Sequence, residues 1–170
     1  HPIAVAKIVA SEIGLDAVSI ASALIHDVVE DNNDHTLERI QKEFGDKIAK
    51  IVDGLTKIGK LNTKGYSDVS IQAENYRKML LTLNEDVRVI IIKIADRLHN
   101  MQTLGSMPYE KQIQKASETL YIYAPLAHRI GLYNIKTELE DLGLKYTDPD
   151  TYEEISKKLI ESKKDQDEYI

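Results

Sequence analysis

The sequence predicts an all-α fold, and three observations support this prediction. Apolar residues recur at helical spacing along most of the 170 residues. Glycine, proline and aspartate separate these runs at positions typical of helix ends and starts. The hydrophobic content of 42% is sufficient for a buried core, and 29% charged residues is ordinary for a protein surface. We therefore expect one helical domain with room for an appendage.

The sequence pattern of residues 1–58 predicts four helices. Pro2 suits a first helical turn, and Gly14 marks the end of that helix. Asp16 is a candidate N-cap for the second helix, Gly45 closes the third, and Asp46 starts the fourth. The expected helices cover residues 3–13, 16–31, 36–44 and 47–58, with a turn at 32–34.

The rest of the chain predicts a mobile loop at 59–68 and then further helices. Asp86 is a candidate cap, and Gly105 a candidate stop, for one long helix. The run 87–92 is β-branched enough to suit a strand, but apolar spacing that continues to Met101 favours the helix. The expected helices cover 70–83, 87–104, 108–123, 126–130, 134–146 and 150 onward, with Pro108, Pro125 and Pro149 near helix starts.

Composition excludes several classes of protein. The chain has no cysteine, so it has neither disulfides nor thiolate metal sites. No apolar run approaches the roughly 20 residues of a membrane span, and no signal peptide is recognisable, so we expect a cytoplasmic protein. A net charge of −6 argues against nucleic-acid binding. Because the chain starts at His1 and not at Met, we expect it to be part of a longer polypeptide.

The most informative stretch is HDVVED at residues 26–31, which ends an apolar helix with four ionisable side chains. Continuous helix would place His26 one turn below Glu30, and Asp27 one turn below Asp31. Unpaired buried charge is costly, so a cation is expected beside them.

Further metal-type ligands stand at His1 and Asp96. Together with His26 and Asp27 they make a nitrogen and oxygen set that suits manganese, iron or zinc. On the same helix as Asp96, Asn100 and Thr103 follow at i+4 and i+7, which makes them candidate substrate contacts.

Each of these residues also has an ordinary structural interpretation. His1 can be a terminal residue of no consequence, and Asp96 can form a surface ion pair with Arg97. His35 and His128 are expected to be structural or exposed. His99 is expected no closer than the second layer of side chains around a site.

The ordered pattern of His1, His26-Asp27 and Asp96 resembles the signature of HD-domain metal phosphohydrolases. Longer segments resemble the hydrolase domain of RelA/SpoT-type alarmone enzymes, namely HPIAVA (1–6), HDVVED (26–31), AENYRKML (73–80) and KIADRLHNM (93–101). Two later segments, YAPLAHRIG (123–131) and KTELEDL (136–142), resemble the helical connector to the synthetase domain in the long members.

This resemblance implies a helical bundle, with a hydrolase domain over residues 1–124 and a connector over 125–170 that contacts a synthetase domain. It implies metal-dependent removal of pyrophosphate from the 3′ position of ppGpp and pppGpp, as in stringent-response control, with manganese as the usual ion. The implied metal ligands are His1, His26, Asp27 and Asp96. Glu30 and Asp31 match the catalytic acid pair, while Asn100 and Thr103 match nucleotide contacts.

The residues themselves leave alternatives open. Glu30 and Asp31 suit a base and an acid for hydrolysis, but spacing does not decide which is which. Another HD phosphohydrolase with a different nucleotide substrate fits the same ligands. A regulatory module that binds nucleotide without turnover also fits, and the charged tail at 150–170 motivates this alternative. The resemblance to the long family members implies that the connector could relay a signal between opposed activities.

Overall fold

The computed structural model describes residues 1–31, 35–59, 69–83 and 85–167. Every regular element in these ranges is helical, so the predicted all-α class is confirmed. The helices are α1 (Pro2–Lys7), α2 (Ala17–Leu24), α3 (Val28–Asp31), α4 (Leu37–Phe44), α5 (Asp46–Gly59), α6 (Val69–Leu83), α7 (Val87–Gln102), α8 (Tyr109–Glu118), α9 (Ala124–Arg129), α10 (Tyr133–Thr147) and α11 (Pro149–Asp167).

Local chemistry explains several helix ends. Asp16 and Asp86 cap α2 and α7, because their carboxylates accept the amides of Ser19 at 2.9 Å and of Arg88 at 3.0 Å. Gly14 has φ +79°, a left-handed conformation that glycine adopts without a Cβ penalty. These three residues confirm the predicted cap and stop positions.

The second predicted helix is broken, and this corrects the expectation of continuous helix to residue 31. Helix α2 ends at Leu24, and the turn that follows holds His26 and Asp27 before α3 begins. The ring of His26 supplies the physical reason, because its Nδ1 lies 2.7 Å from the carbonyl oxygen of Ala23. A continuous helix would give that carbonyl to the amide of Asp27. The predicted one-turn stacking of His26 on Glu30 is therefore wrong.

Two π-helical segments extend the helices beyond their predicted regular form. Ile8–Ile13 continues α1, and Thr119–Tyr123 joins α8 to α9. The second segment allows the chain to remain helical up to Pro125, which has no amide hydrogen to donate and lies in the first turn of α9. The predicted break between 123 and 126 is thus replaced by a wider turn.

Helix α7 forms the centre of the molecule, so the helical interpretation of residues 87–92 is confirmed over the strand. It contacts α1, α5, α6 and α10. Its fully buried apolar side chains include Ile90, Ile92, Ile94, Leu98 and Met101. Burial on all sides explains why this helix carries so few exposed polar positions.

The hydrophobic core continues into the C-terminal helices. Ala124 and Leu126 of α9, and Ile135 and Leu139 of α10, belong to the same buried cluster as Val5 of α1. Helix α11 instead leaves Ile155, Leu159 and Ile160 exposed. The division at 124/125 stays a prediction.

Two predicted features lie outside the described residues, namely the turn at 32–34 and most of the loop at 59–68. Gly59 itself is the last residue of α5. Within the described residues, no helix is long and apolar enough to cross a membrane.

Candidate metal centre

Three parts of the chain meet beside Asp96, in the interior of α7. His1 lies at the N-cap of α1, His26 and Asp27 lie in the turn after α2, and Asp96 lies within α7. His1 Nε2 is 2.9 Å from Asp96 Oδ1, and His26 Nε2 is 3.0 Å from Asp27 Oδ1 and 3.8 Å from Asp96 Oδ1. The fold therefore brings together the four residues that the sequence separates.

Three residues of this group lie close enough together to bind one metal ion. His1, His26 and Asp27 each offer a ligand atom, and the three atoms lie within 4.8 Å of one another. Asp96 Oδ1 adjoins both histidines. Two imidazole nitrogens and two carboxylates form a donor set suited to borderline divalent ions.

The orientation of the His26 ring is fixed by its surroundings. Its side chain is buried, and its Nδ1 is bonded to the Ala23 carbonyl, which directs Nε2 toward the two carboxylates. Among the described residues, Nε2 is one of two buried side-chain nitrogens that make no hydrogen bond, although Asp27 Oδ1 lies 3.0 Å away. A buried, unbonded nitrogen facing carboxylates fits a metal ligand whose other ring nitrogen is fixed by a carbonyl.

The surrounding charges alter the protonation of His26. Burial of the ring lowers its pKa, but the Asp27 carboxylate, the Ala23 carbonyl and the charge of Asp96 together raise the pKa above 6.5. In the absence of an ion, the ring therefore takes up a proton more readily than an ordinary histidine. A cation between the carboxylates would take the place of that proton.

Asp96 is held at both oxygens by side chains of its own helix. Lys93 Nζ donates to Oδ2 at 2.7 Å, while Asn100 Nδ2 donates to Oδ1 at 2.8 Å. Burial raises the pKa of Asp96, but the opposing effects of Lys93 and then of His26 are larger together. The pKa of Asp96 therefore lies below its usual value of 3.8. Asp96 is therefore an ionised carboxylate with a fixed orientation.

Lys93 was missed by reasoning from the sequence. It lies one turn before Asp96 and its side chain is only 16% exposed, although a lysine in a helical run normally suggests a solvated surface. The available signal was its i, i+3 spacing to Asp96, together with its place in the run 89–95, where all the other residues are apolar.

The predicted substrate contacts lie at the C-terminal end of α7. Asn100 is half-buried and bonded to Asp96, so it belongs to the cluster. Thr103 is exposed, and its hydroxyl donates to the carbonyl of His99 at 3.0 Å. Both therefore lie near the cluster, with Thr103 one turn further from Asp96.

The predicted acid pair lies on α3, directly after the turn. The exposed side chain of Glu30 lies against the backbone of Gly59, and a Cβ added there would come within 2.9 Å of its carboxyl carbon. The side chain of Asp31 lies outside the described part of the chain. The roles of both residues stay predictions.

Comparison with known proteins agrees with this geometry. The model of one protein family, described as the HD domain, matches residues 1–133. The chain belongs to the HD domain family. The match includes all four of the clustered residues, from His1 to Asp96, and helices α1 to α9.

The HD domain chain is also similar to much longer curated proteins. A guanosine-3′,5′-bis(diphosphate) 3′-pyrophosphohydrolase from Aquifex aeolicus is 48% identical over 170 residues, which is 100% of this chain and 23% of the relative. A protein of the same name from Haemophilus influenzae is 48% identical over 161 residues. A GTP pyrophosphokinase from Myxococcus xanthus is 46% identical over 171 residues, which is 22% of that relative. The chain thus spans less than a quarter of their length.

Proposed function

We propose that this chain hydrolyses the 3′-pyrophosphate of ppGpp and pppGpp, giving GDP or GTP and pyrophosphate. One observation carries the proposal. The buried Nε2 of His26 has no hydrogen bond and faces the carboxylates of Asp27 and Asp96. The names of the Aquifex and Haemophilus relatives supply the substrate class.

The residues fit a single divalent ion, with manganese as our proposed identity. His1, His26, Asp27 and Asp96 would hold it. Ligand atoms of the first three lie within 4.8 Å of one another, Asp96 Oδ1 adjoins both histidines, and neither thiolate nor thioether is among the four. When bound, the ion supplies a water of lowered pKa and neutralises phosphate charge.

The reaction needs one water molecule and two proton transfers. The water oxygen forms a bond to the phosphorus attached to the ribose 3′ oxygen, and the bond between that phosphorus and the 3′ oxygen breaks. Glu30 and Asp31 are proposed to take the proton from water and to return one to the 3′ oxygen. Their position directly after the His26-Asp27 turn supports this role.

Asn100 and Thr103 are proposed to contact the nucleotide. The Asn100 amide has one hydrogen on Asp96, which leaves its carbonyl oxygen for a substrate donor. The exposed hydroxyl of Thr103 lies on the same end of α7. Together they would orient the ribose and phosphate beside Asp96.

The wider organisation remains part of the proposal. Residues 1–124 are proposed as the hydrolase region and 125–170 as a connector that contacts a synthetase domain in the longer protein. The lengths of the curated relatives are consistent with this. A guanine nucleotide substrate suits a cytoplasmic location.

The decisive experiment measures pyrophosphate release from ppGpp with Mn²⁺, then after treatment with EDTA, and then with Asp27→Ala. We expect turnover with metal and its loss in both other cases. Asp53→Ala is the matched control, because Asp53 pairs only with Lys57 on the surface of α5 among the described residues. Turnover that survives both EDTA and Asp27→Ala would overturn the mechanism.

A panel of substrates separates the alternatives. Preference for dGTP or a nucleoside monophosphate over ppGpp would indicate another HD phosphohydrolase. Tight binding of ppGpp without release of pyrophosphate would indicate a regulatory module.

A further inference from the structure

A second histidine adjoins the one at the start of α1. His99 Nδ1 lies 2.7 Å from His1 Nδ1, and the two ring centroids are 4.8 Å apart. The other nitrogen of the same His1 ring, Nε2, lies 2.9 Å from Asp96 Oδ1. Both ring nitrogens of His1 thus contact residues of α7, namely His99 and Asp96.

The chemistry of an imidazole decides what each contact does. Two ring nitrogens at 2.7 Å share one hydrogen, so one donates and the other accepts. A histidine that ligates a metal through Nε2 keeps its hydrogen on Nδ1 and donates it to a second partner, which fixes the ring. His99 is placed to be that partner for His1.

We propose that His99 is a positioning residue, which accepts the Nδ1 hydrogen of His1 and thereby presents His1 Nε2 to the metal. This inference rests on the proposed function, because it requires the metal. It assigns His99 no contact with the substrate or with the ion.

The two ligand histidines have equivalent arrangements. In His26, Nδ1 is bonded to the Ala23 carbonyl, and burial within the turn restricts the ring further. The side chain of His1 is 28% exposed and has less protein around it. His1 therefore depends more on its polar partner than His26 does.

Helix α7 makes this support rigid. His99 follows Asp96 by three residues, so the ligand and the partner of another ligand project from adjacent positions of one helix. Thr103 also bonds the His99 carbonyl, near the end of that helix. Because the helix fixes the distance between Asp96 and His99, and each contacts one nitrogen of His1, it also fixes the orientation of the His1 ring.

The test measures Mn²⁺ affinity by isothermal titration calorimetry on protein first stripped with EDTA. We expect His99→Leu to weaken binding by about 10- to 100-fold, the usual loss when such a partner is removed. His99→Gln retains a side-chain acceptor and should recover most of that loss. His128→Leu is the matched control, because His128 lies on α9, outside the cluster, and should leave affinity unchanged.

A double-variant cycle separates this role from a general structural one. If His99 acts through His1, then His99→Leu adds no further loss in a His1→Ala background. An equal loss in both backgrounds would overturn the inference.

The outcomes also distinguish this inference from the proposed function. Wild-type protein that binds no divalent ion would overturn both. Wild-type and His99→Leu proteins that bind Mn²⁺ equally would overturn only the role of His99.

Discussion

The Nδ1 of His26 and the carbonyl oxygen of Ala23, 2.7 Å apart, occupy the position of a missing backbone hydrogen bond. The contact interrupts the helix and directs the opposite ring nitrogen at Asp27 and Asp96. One interaction thus sets both the local backbone and the orientation of a proposed ligand.

Binding of a metal should stabilise the fold, because it satisfies His26 Nε2 and the carboxylates around it. A ligand at 100 times its Kd adds about 2.7 kcal/mol. For a chain of this size that corresponds to a rise in Tm of about 5–10 °C. We expect Mn²⁺ to raise, and EDTA to lower, the melting temperature measured by differential scanning calorimetry.

Asp27→Ala should lose this metal-induced rise, while Asp53→Ala on α5 should retain it. A rise of equal size in all three proteins would place the ion elsewhere.

Gly59→Ala should reduce turnover without weakening metal binding. The new methyl group would meet the Glu30 carboxylate, whose Cδ and Oε2 lie 2.9 Å from the added Cβ, and would displace it. Glu30 is one of the two proposed catalytic carboxylates, and a displacement of about 1 Å in such a group can cost 100-fold. We therefore expect kcat for ppGpp to fall by about 10- to 100-fold.

The control is Gly105→Ala, whose added Cβ would lie 3.5 Å from the Tyr146 hydroxyl, an ordinary contact. It should leave kcat unchanged. Normal turnover by Gly59→Ala would show that Glu30 does not need its observed position.

The buried ion pair between α7 and α8 should be costly to break from one side. Arg97 Nη2 lies 2.8 Å from Glu118 Oε2, the guanidinium carbon lies 4.1 Å from the centre of the Tyr123 ring, and both charged side chains are buried. Glu118→Gln leaves a buried cation without its counter-charge, so we expect a loss of about 3–5 kcal/mol in urea unfolding.

Replacing both partners, in Arg97→Met with Glu118→Leu, should recover much of that stability because neither buried charge remains. Lys115, whose Nζ lies 3.9 Å from Glu118 Oε2, also loses a partner, but its side chain is 36% exposed and can be solvated. Glu154→Gln removes an exposed pair with Lys158 and should cost less than about 1 kcal/mol. Equal losses at the two sites would contradict the assigned burial.

Stability at acid pH should depend on Asp86. The Arg88 guanidinium lowers the pKa of Asp86 below its usual 3.8, despite an opposing effect of burial. Because the folded-state pKa is below the unfolded one, this contribution is complete above the unfolded pKa. It is lost as pH falls through the folded pKa.

Asp86→Ala also removes the cap of α7, so it should destabilise by about 1 kcal/mol at pH 7. Asp86→Asn retains a capping oxygen, so it should destabilise the fold less than Asp86→Ala does at pH 7. Because it lacks the titrating carboxylate, it should also lose less stability than wild type as the pH falls below 3.8. Identical acid profiles for wild type and Asp86→Asn would refute the role of this carboxylate.

Much of the fold was predictable because its signals are local. The cap at Asp16, the stop at Gly14 and the apolar spacing of α7 each act within a few residues. The break after Leu24 was not predictable in this way. It depends on the His26 ring, which takes the place of the Asp27 amide at the Ala23 carbonyl. Helix propensities do not include such a substitution of a side chain for a backbone donor.

The candidate site was predictable only in part. The ligand types stand out in the sequence, and the fold brings His1, His26, Asp27 and Asp96 together. The contact between His1 and His99 joins residues 98 positions apart, so periodicity carries no trace of it. Lys93 was hidden because its charge resembles that of a surface residue.

The separation of the ligands along the chain has a further consequence. His1 and Asp96 are 95 positions apart, yet their side chains touch. An ion held between them would act as a removable cross-link in a chain that has no cysteine. Like a disulfide, it would close a long loop and so restrict the unfolded chain, but a chelator would open it without any change of redox state.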